Sequence, residues 1–166
     1  LYLNDEILIS YNTYEKGVLQ GKFQEYSNEI EFKGDKRVGT YVNGMREGPA
    51  TLFPPPKGEF SGDREERIYV NDIIEGPATY FFADGAKEER TYVNGITEGP
   101  ATLFLPNGDK EEFTFVNGIK EGPATIFFAD GDTMLYTYVN GIKEGPATYF
   151  FTKGEFRGDR KEFIYV

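Results

Sequence analysis

An all-β fold is predicted: an elongated, twisted antiparallel sheet of stacked β-hairpins, with almost no helix. Three observations predict it. The string Glu-Gly-Pro-Ala-Thr occurs five times, at residues 47–51, 75–79, 98–102, 121–125 and 144–148. An aromatic-x-Asn turn signature stands ahead of every copy, with its aromatics at Tyr41, Tyr69, Tyr92, Phe115 and Tyr138, and Tyr165 continues the series. Their spacings are 28, 23, 23, 23 and 27 residues, and such fixed self-similarity marks a repeat array. No stretch sustains the 3.6-residue apolar period of a helix.

Residues 1–40 read as degenerate N-terminal repeats. Tyr2-Leu3-Asn4-Asp5 echoes Tyr69-Val70-Asn71-Asp72, and Gly17-Val18-Leu19-Gln20-Gly21 keeps a Gly-x-x-x-Gly spacing. Residues 41–166 hold the regular units of 23–28 residues and form one continuous array with 1–40. Two longer units share an insertion: residues 57–64 resemble residues 153–160, and the first is preceded by Pro54-Pro55-Pro56. Glu31-Phe32-Lys33-Gly34-Asp35-Lys36 is related to both. Within one unit, Ala78-Thr79-Tyr80-Phe81-Phe82 is rich in strand formers. Asp84-Gly85 reads as a type I′ hairpin turn, residues 87–93 as the return strand, and Asn94-Gly95 as a second tight turn. Gly99-Pro100 is expected to break any continuing strand, because Pro lacks the N–H and fixes φ. A single unit has too few aromatics to offset the entropy of ordering it, so neighbours must stack.

Composition removes several function classes. The chain of 166 residues has a formal net charge of -10 and contains no Cys, His or Trp. Disulfides, thiolate or imidazole metal sites, a cysteine nucleophile and a Ser-His-Asp triad are therefore absent. The charge opposes sequence-independent phosphate binding, so no nucleic-acid partner is expected. An anionic membrane is disfavoured on the same ground. No apolar run approaches the roughly 20 residues of a membrane helix, and no signal-peptide pattern is visible. No cofactor and no metal are expected. Asp130-Gly131-Asp132 lacks the further ligands of a calcium loop and reads as a turn. The carboxylate pairs Glu88-Glu89 and Glu111-Glu112 point to opposite faces of a strand, which argues against glycosidase chemistry.

The unit Tyr92-Val93-Asn94-Gly95-Ile96-Thr97-Glu98-Gly99, followed by a strand and Asp-Gly at a 23-residue period, resembles the MORN (membrane occupation and recognition nexus) repeat. The family's early Tyr-Glu-Gly is replaced here by Glu88-Glu89-Arg90, Glu111-Glu112-Phe113 and Met134-Leu135-Tyr136, and its late Gly-x-Gly by Gly-Pro-Ala. Two branches look similar. One is the N-terminal MORN array of SET-domain histone lysine methyltransferases, through Val18-Leu19-Gln20-Gly21 and Gly-Pro-Ala. The other is the bacterial antitoxin-like MORN group. The resemblance implies a non-enzymatic scaffold or protein–protein interaction module, an accessory part of a larger protein. A self-assembling structural repeat is the alternative.

Three sets of side chains are candidates for partner contact. The acidic column Glu47, Glu75, Glu98, Glu121 and Glu144 is either a ladder for a basic partner or a set of structural carboxylates accepting turn amides. The column Tyr41, Tyr69, Tyr92, Phe115 and Tyr138 is either a stacking groove or the cross-strand packing between hairpins. Phe81-Phe82 and Phe127-Phe128 put one aromatic on each face and are expected to leave an exposed aromatic strip, unless inserts such as residues 54–60 cover it. The partner is expected to be a protein or another copy of the chain.

Overall fold

The computed structural model describes residues 2–4, 7–27, 35–54 and 62–166. Asp5, Pro55-Pro56, and residues 31–34 and 57–61 of the insertion motifs lie outside the described residues. Every regular element among the described residues is a β-strand, and each strand pairing is antiparallel.

Two compact units are present. The first comprises residues 1–84 and 92–95. It holds β1 (Tyr2–Asn4), β2 (Ile7–Glu15), β3 (Val18–Ser27), β4 (Lys36–Val42), β5 (Met45–Arg46), β6 (Gly48–Phe53), β7 (Arg64–Val70), β8 (Ile73–Ile74) and β9 (Gly76–Phe81). Its hydrogen-bonded order is β1-β2-β3-β4-β6-β7-β9, with the short β5 and β8 folded back on β4 and β7. The second comprises residues 85–91 and 96–166. It holds most of β10 (Lys87–Val93), then β11 (Ile96–Thr97), β12 (Gly99–Phe104), β13 (Lys110–Val116), β14 (Ile119–Lys120), β15 (Gly122–Phe127), β16 (Thr133–Val139), β17 (Ile142–Phe150) and β18 (Arg160–Tyr165). Its order is β10-β12-β13-β15-β16-β17-β18.

Each unit is therefore a stack of hairpins, as the repeat required. The Asn-Gly turns at Asn43, Asn94, Asn117 and Asn140 carry positive φ at both residues, for example 51° at Asn117 and 83° at Gly118, the geometry of a type I′ turn. The Asp-Gly loops differ from expectation. Only the glycine is left-handed, at 98° for Gly131, and Gly131 N donates to Phe128 O while Phe128 N donates to Asp132 O. This is a three-residue loop, a type I turn closed by a glycine bulge. The Gly-Pro step also departs from expectation, because it opens a strand and does not stop one. The interruption falls one residue earlier, at the Glu. Gly99, at φ 80°, supplies the bulge, and Pro100 then sits directly opposite Thr114. In β17 the strand runs through Gly145-Pro146 without a break.

Strand alternation sorts the side chains into two faces. One face buries the aromatic column and a matching alanine column, Ala50, Ala78, Ala101, Ala124 and Ala147. In the second unit Phe113, Phe115, Met134, Tyr136 and Tyr138 pack with three of these alanines. The other face carries proline and threonine in register, with Pro100 opposite Thr114 and Pro123 opposite Thr137.

Candidate interaction surfaces

The acidic column is tied into the stack. The Glu47 carboxylate accepts the backbone amide of Asn71 at 2.9 Å, and Glu75 that of Asn94 at 2.7 Å. In the second unit Glu98 accepts Asn117 N at 2.7 Å and Glu121 accepts Asn140 N at 2.8 Å. Each carboxylate thus holds the turn of the following repeat. Beside it the second turn residue donates its amide to the previous repeat, as Gly118 N does to Thr97 O at 2.9 Å. Gln20 does the same for Asn43, at 2.9 Å. The Gly17-to-Gly21 spacing marks that segment as a degenerate repeat, and Gln20 stands at its glutamate position. Asp72 replaces the usual turn glycine and spends its carboxylate on Arg46, at 2.8 Å to its amide and 3.1 Å to Nε. Glu144 is exposed and lies within β17, opposite Thr137.

The aromatic column lies inside. Tyr41, Tyr69, Phe115 and Tyr138 are buried and Tyr92 is half-buried. Their rings touch others on the same face, with centroids 4.8 Å apart for Phe23 and Tyr41 on adjacent strands and 6.2 Å for Phe113 and Tyr138, two strands apart. A row of buried carboxylates, unnoticed as such in the sequence, faces these rings. Glu25 accepts the Tyr41 hydroxyl, Glu65 that of Tyr92 at 2.9 Å, and Glu111 those of both Tyr136 and Tyr138, the latter at 2.7 Å. Burial, and then the hydrogen bond to the glutamate, push the phenols of Tyr41, Tyr136 and Tyr138 well above the ordinary value of 10.0. A phenol held neutral by the fold contributes stability that is fully present below about pH 10 and lost as pH rises toward the folded-state value. Both units are therefore expected to lose urea resistance above about pH 10. Tyr136→Phe/Tyr138→Phe should flatten that loss in the second unit, read by urea unfolding across an alkaline series; an unchanged slope would refute the assignment.

Phe81, Phe82, Phe127 and Phe128 are all half-buried. The pairs do split between faces. Phe81 lies under the Arg64 guanidinium at 3.8 Å and Phe127 under the Lys110 ammonium at 4.5 Å. Phe104, half-buried under Lys87 at 4.6 Å, repeats the arrangement. On the opposite face Phe82 packs on Tyr80 and Phe128 on Tyr149, with centroids 4.7 Å and 5.2 Å apart. Among the described residues no group of three or more metal-ligating side chains occurs. Asp132, the last residue of the Asp-Gly-Asp loop, accepts Thr152 N at 2.7 Å, Thr152 Oγ1 at 2.8 Å and the Tyr149 hydroxyl at 2.9 Å.

The proline–threonine face forms an open trough in each unit. In the first, about 620 Å³ lies over Thr40, Pro49, Thr51, Ile68, Pro77 and Thr79. In the second, about 450 Å³ lies over the equivalent Pro100, Thr102, Thr114, Pro123 and Thr125 beside Glu112. Along one side run exposed ion pairs, Lys87–Glu89 at 2.7 Å and Lys110–Glu112 at 2.8 Å. The Pro-Ala-Thr copies are plain in the sequence, but the strand break expected at Gly-Pro does not point to this surface.

The comparisons agree with the geometry. The MORN repeat model matches residues 38–54, 68–87, 114–133 and 137–156, each spanning an aromatic-x-Asn turn or the strands beside one. No curated protein matches the chain. The repeat is a non-catalytic type. With the stacked hairpins, the type I′ Asn turns and the glutamate-to-asparagine staples in place, the chain carries MORN repeats at these four places.

Proposed function

We propose that this MORN array is a non-enzymatic scaffold that holds a protein partner on its proline–threonine face, as an accessory part of a larger assembly. The trough carries the reading. It is open and shallow, largely apolar in the first unit and mixed polar and apolar in the second, and lined with threonine hydroxyls on strands rather than on loops. The net charge of -10 favours a partner with a basic surface. A SET-type methyltransferase or an antitoxin-like system is the kind of assembly that the sequence resemblance points toward. In a pull-down from the source cell, Thr102→Arg/Thr125→Arg is expected to lose the proteins recovered by the wild-type chain, with circular dichroism showing an intact sheet. Undiminished recovery would remove the trough as the site. The acidic column is tested separately with Glu98→Gln/Glu121→Gln. Gln20 shows that an amide keeps the staple, so this change removes charge alone. Unchanged recovery would end the proposal that this column reads a basic partner.

Self-association is the second reading, and a specific feature favours it. The turns leave aliphatic side chains in solvent: Val70 and Ile73 in the first unit, Ile96, Ile119 and Ile142 in the second. Apolar residues repeated along one edge favour association. Sedimentation across concentration separates the possibilities, since open-ended growth supports assembly and a monomer at all concentrations excludes it.

A further inference from the structure

The chain contains five Asn-Gly pairs, at Asn43, Asn94, Asn107, Asn117 and Asn140. Asn-Gly is chemically labile because the glycine has no Cβ to hinder its own backbone nitrogen. That nitrogen attacks the asparagine Cγ, the Cγ–Nδ2 bond breaks, and ammonia leaves. Water then opens the resulting succinimide at either carbonyl, giving aspartate or isoaspartate. The reaction requires the glycine nitrogen to lose its proton and swing toward Cγ.

Four of the pairs are pinned from outside. Gly44 N donates to Leu19 O, Gly95 N to Ile74 O, Gly118 N to Thr97 O and Gly141 N to Lys120 O, each at 2.9 Å. The backbone N–H of each asparagine is held as well, donating to Gln20, Glu75, Glu98 and Glu121 respectively. Every one of these acceptors belongs to the preceding repeat. The attacking nitrogen is therefore released only when two repeats part.

Asn107 is different. Gly108 N donates to Leu105 O at 3.0 Å, Leu105 N donates to Asp109 O at 2.9 Å, and the Asn107 side chain meets only Asp109. All of these bonds close within residues 105–109, in an exposed loop whose hydrogen bond to the next loop runs through Asp109 and not through the Asn107–Gly108 peptide. We propose that Asn107 is a site of spontaneous deamidation, and that the stacked turns shield the other four Asn-Gly pairs. The product carries a structural consequence. Asn107 Nδ2 donates to Asp109 Oδ2 at 2.9 Å, while Asp109 Oδ1 accepts the amide of Ala129, in the next loop, at 2.8 Å. Deamidation replaces that donor with a second carboxylate beside Asp109, and like-charge repulsion loosens the link between the two loops.

The test incubates the whole chain at mildly alkaline pH and follows each asparagine by peptide mapping and mass spectrometry. In the native protein Asn107 is expected to convert at least about tenfold faster than any of the other four, the ratio that an extra opening cost of about 1.4 kcal/mol produces. In concentrated urea the five rates should converge. Equal native rates would overturn the proposal, and so would a ratio that persists in urea, because local sequence and not stacking would then set it. Asn107→Asp is expected to speed amide hydrogen exchange at Ala129; unchanged exchange there would overturn the proposed loosening.

Discussion

Phe113→Ala is expected to lower the unfolding free energy of the second unit by about 3–5 kcal/mol, the cost of emptying a well-packed aromatic site. Phe113 is 4% exposed. Its ring meets Phe115 edge-on at 5.3 Å and Tyr138 at 6.2 Å, and the Lys120 ammonium lies 3.6 Å over it. Ala101 faces it directly across the strand pair, too small to fill the gap. The ring thus joins neighbouring hairpins, and in a repeat array such contacts between neighbours supply the stability that a single unit lacks. Phe127→Ala is the comparison. That ring is half-buried beneath one lysine, so its loss should cost clearly less. Urea unfolding followed by tyrosine fluorescence reads both variants, and equal costs would contradict the division of the sheet into a packed face and an open one.

That division was only partly legible in the sequence. The period, the turns and the strands follow from residue types that impose local geometry, so repetition made them readable. The alternation along a strand also placed Glu111 and Glu112 on opposite faces, as the structure does: Glu111 is buried and Glu112 exposed. What alternation leaves open is which face becomes the core. A strand such as Lys110–Val116 begins with three charged residues, and nothing local says that the middle charge points inward. The answer depends on Tyr136 and Tyr138, two strands away in the sheet and more than twenty residues on in the chain.

The acidic column was ambiguous for a similar reason. The Glu98 carboxylate finds its acceptor role on Asn117, in the next repeat, so its partner is fixed by the stacking distance and not by neighbouring sequence. Asp-Gly alone leaves the loop type open, because it is compatible with two turn geometries. Here it adopts the three-residue loop with a single left-handed glycine, 92° at Gly85 and 98° at Gly131. Pro100 is tolerated in β12 because the prohibition on proline in strands does not reach a strand's opening residues, beside a bulge.

Glu111→Met is expected to destabilise the second unit by about 3 kcal/mol, because it strands two buried hydroxyls at about 1–3 kcal/mol each while recovering part of the cost of burying a charge. The size is right for the site, since Met134 occupies the equivalent position of the next repeat and is buried there. The change therefore removes an acceptor more than it removes volume. Glu111→Gln keeps an acceptor for Tyr136 and Tyr138 and should cost about 1 kcal/mol, the difference between a charged and a neutral acceptor. The decisive variant is the triple change Glu111→Met/Tyr136→Phe/Tyr138→Phe. With the hydroxyls gone along with the carboxylate, no buried polar group is left unpaired, and most of the lost stability should return. Urea midpoints of the three variants at pH 7 test the sequence of effects. If the triple variant is no more stable than Glu111→Met, the unpaired hydroxyls are not the source of the loss, and the carboxylate stabilises the sheet through its other neighbour, Lys120 at 3.8 Å.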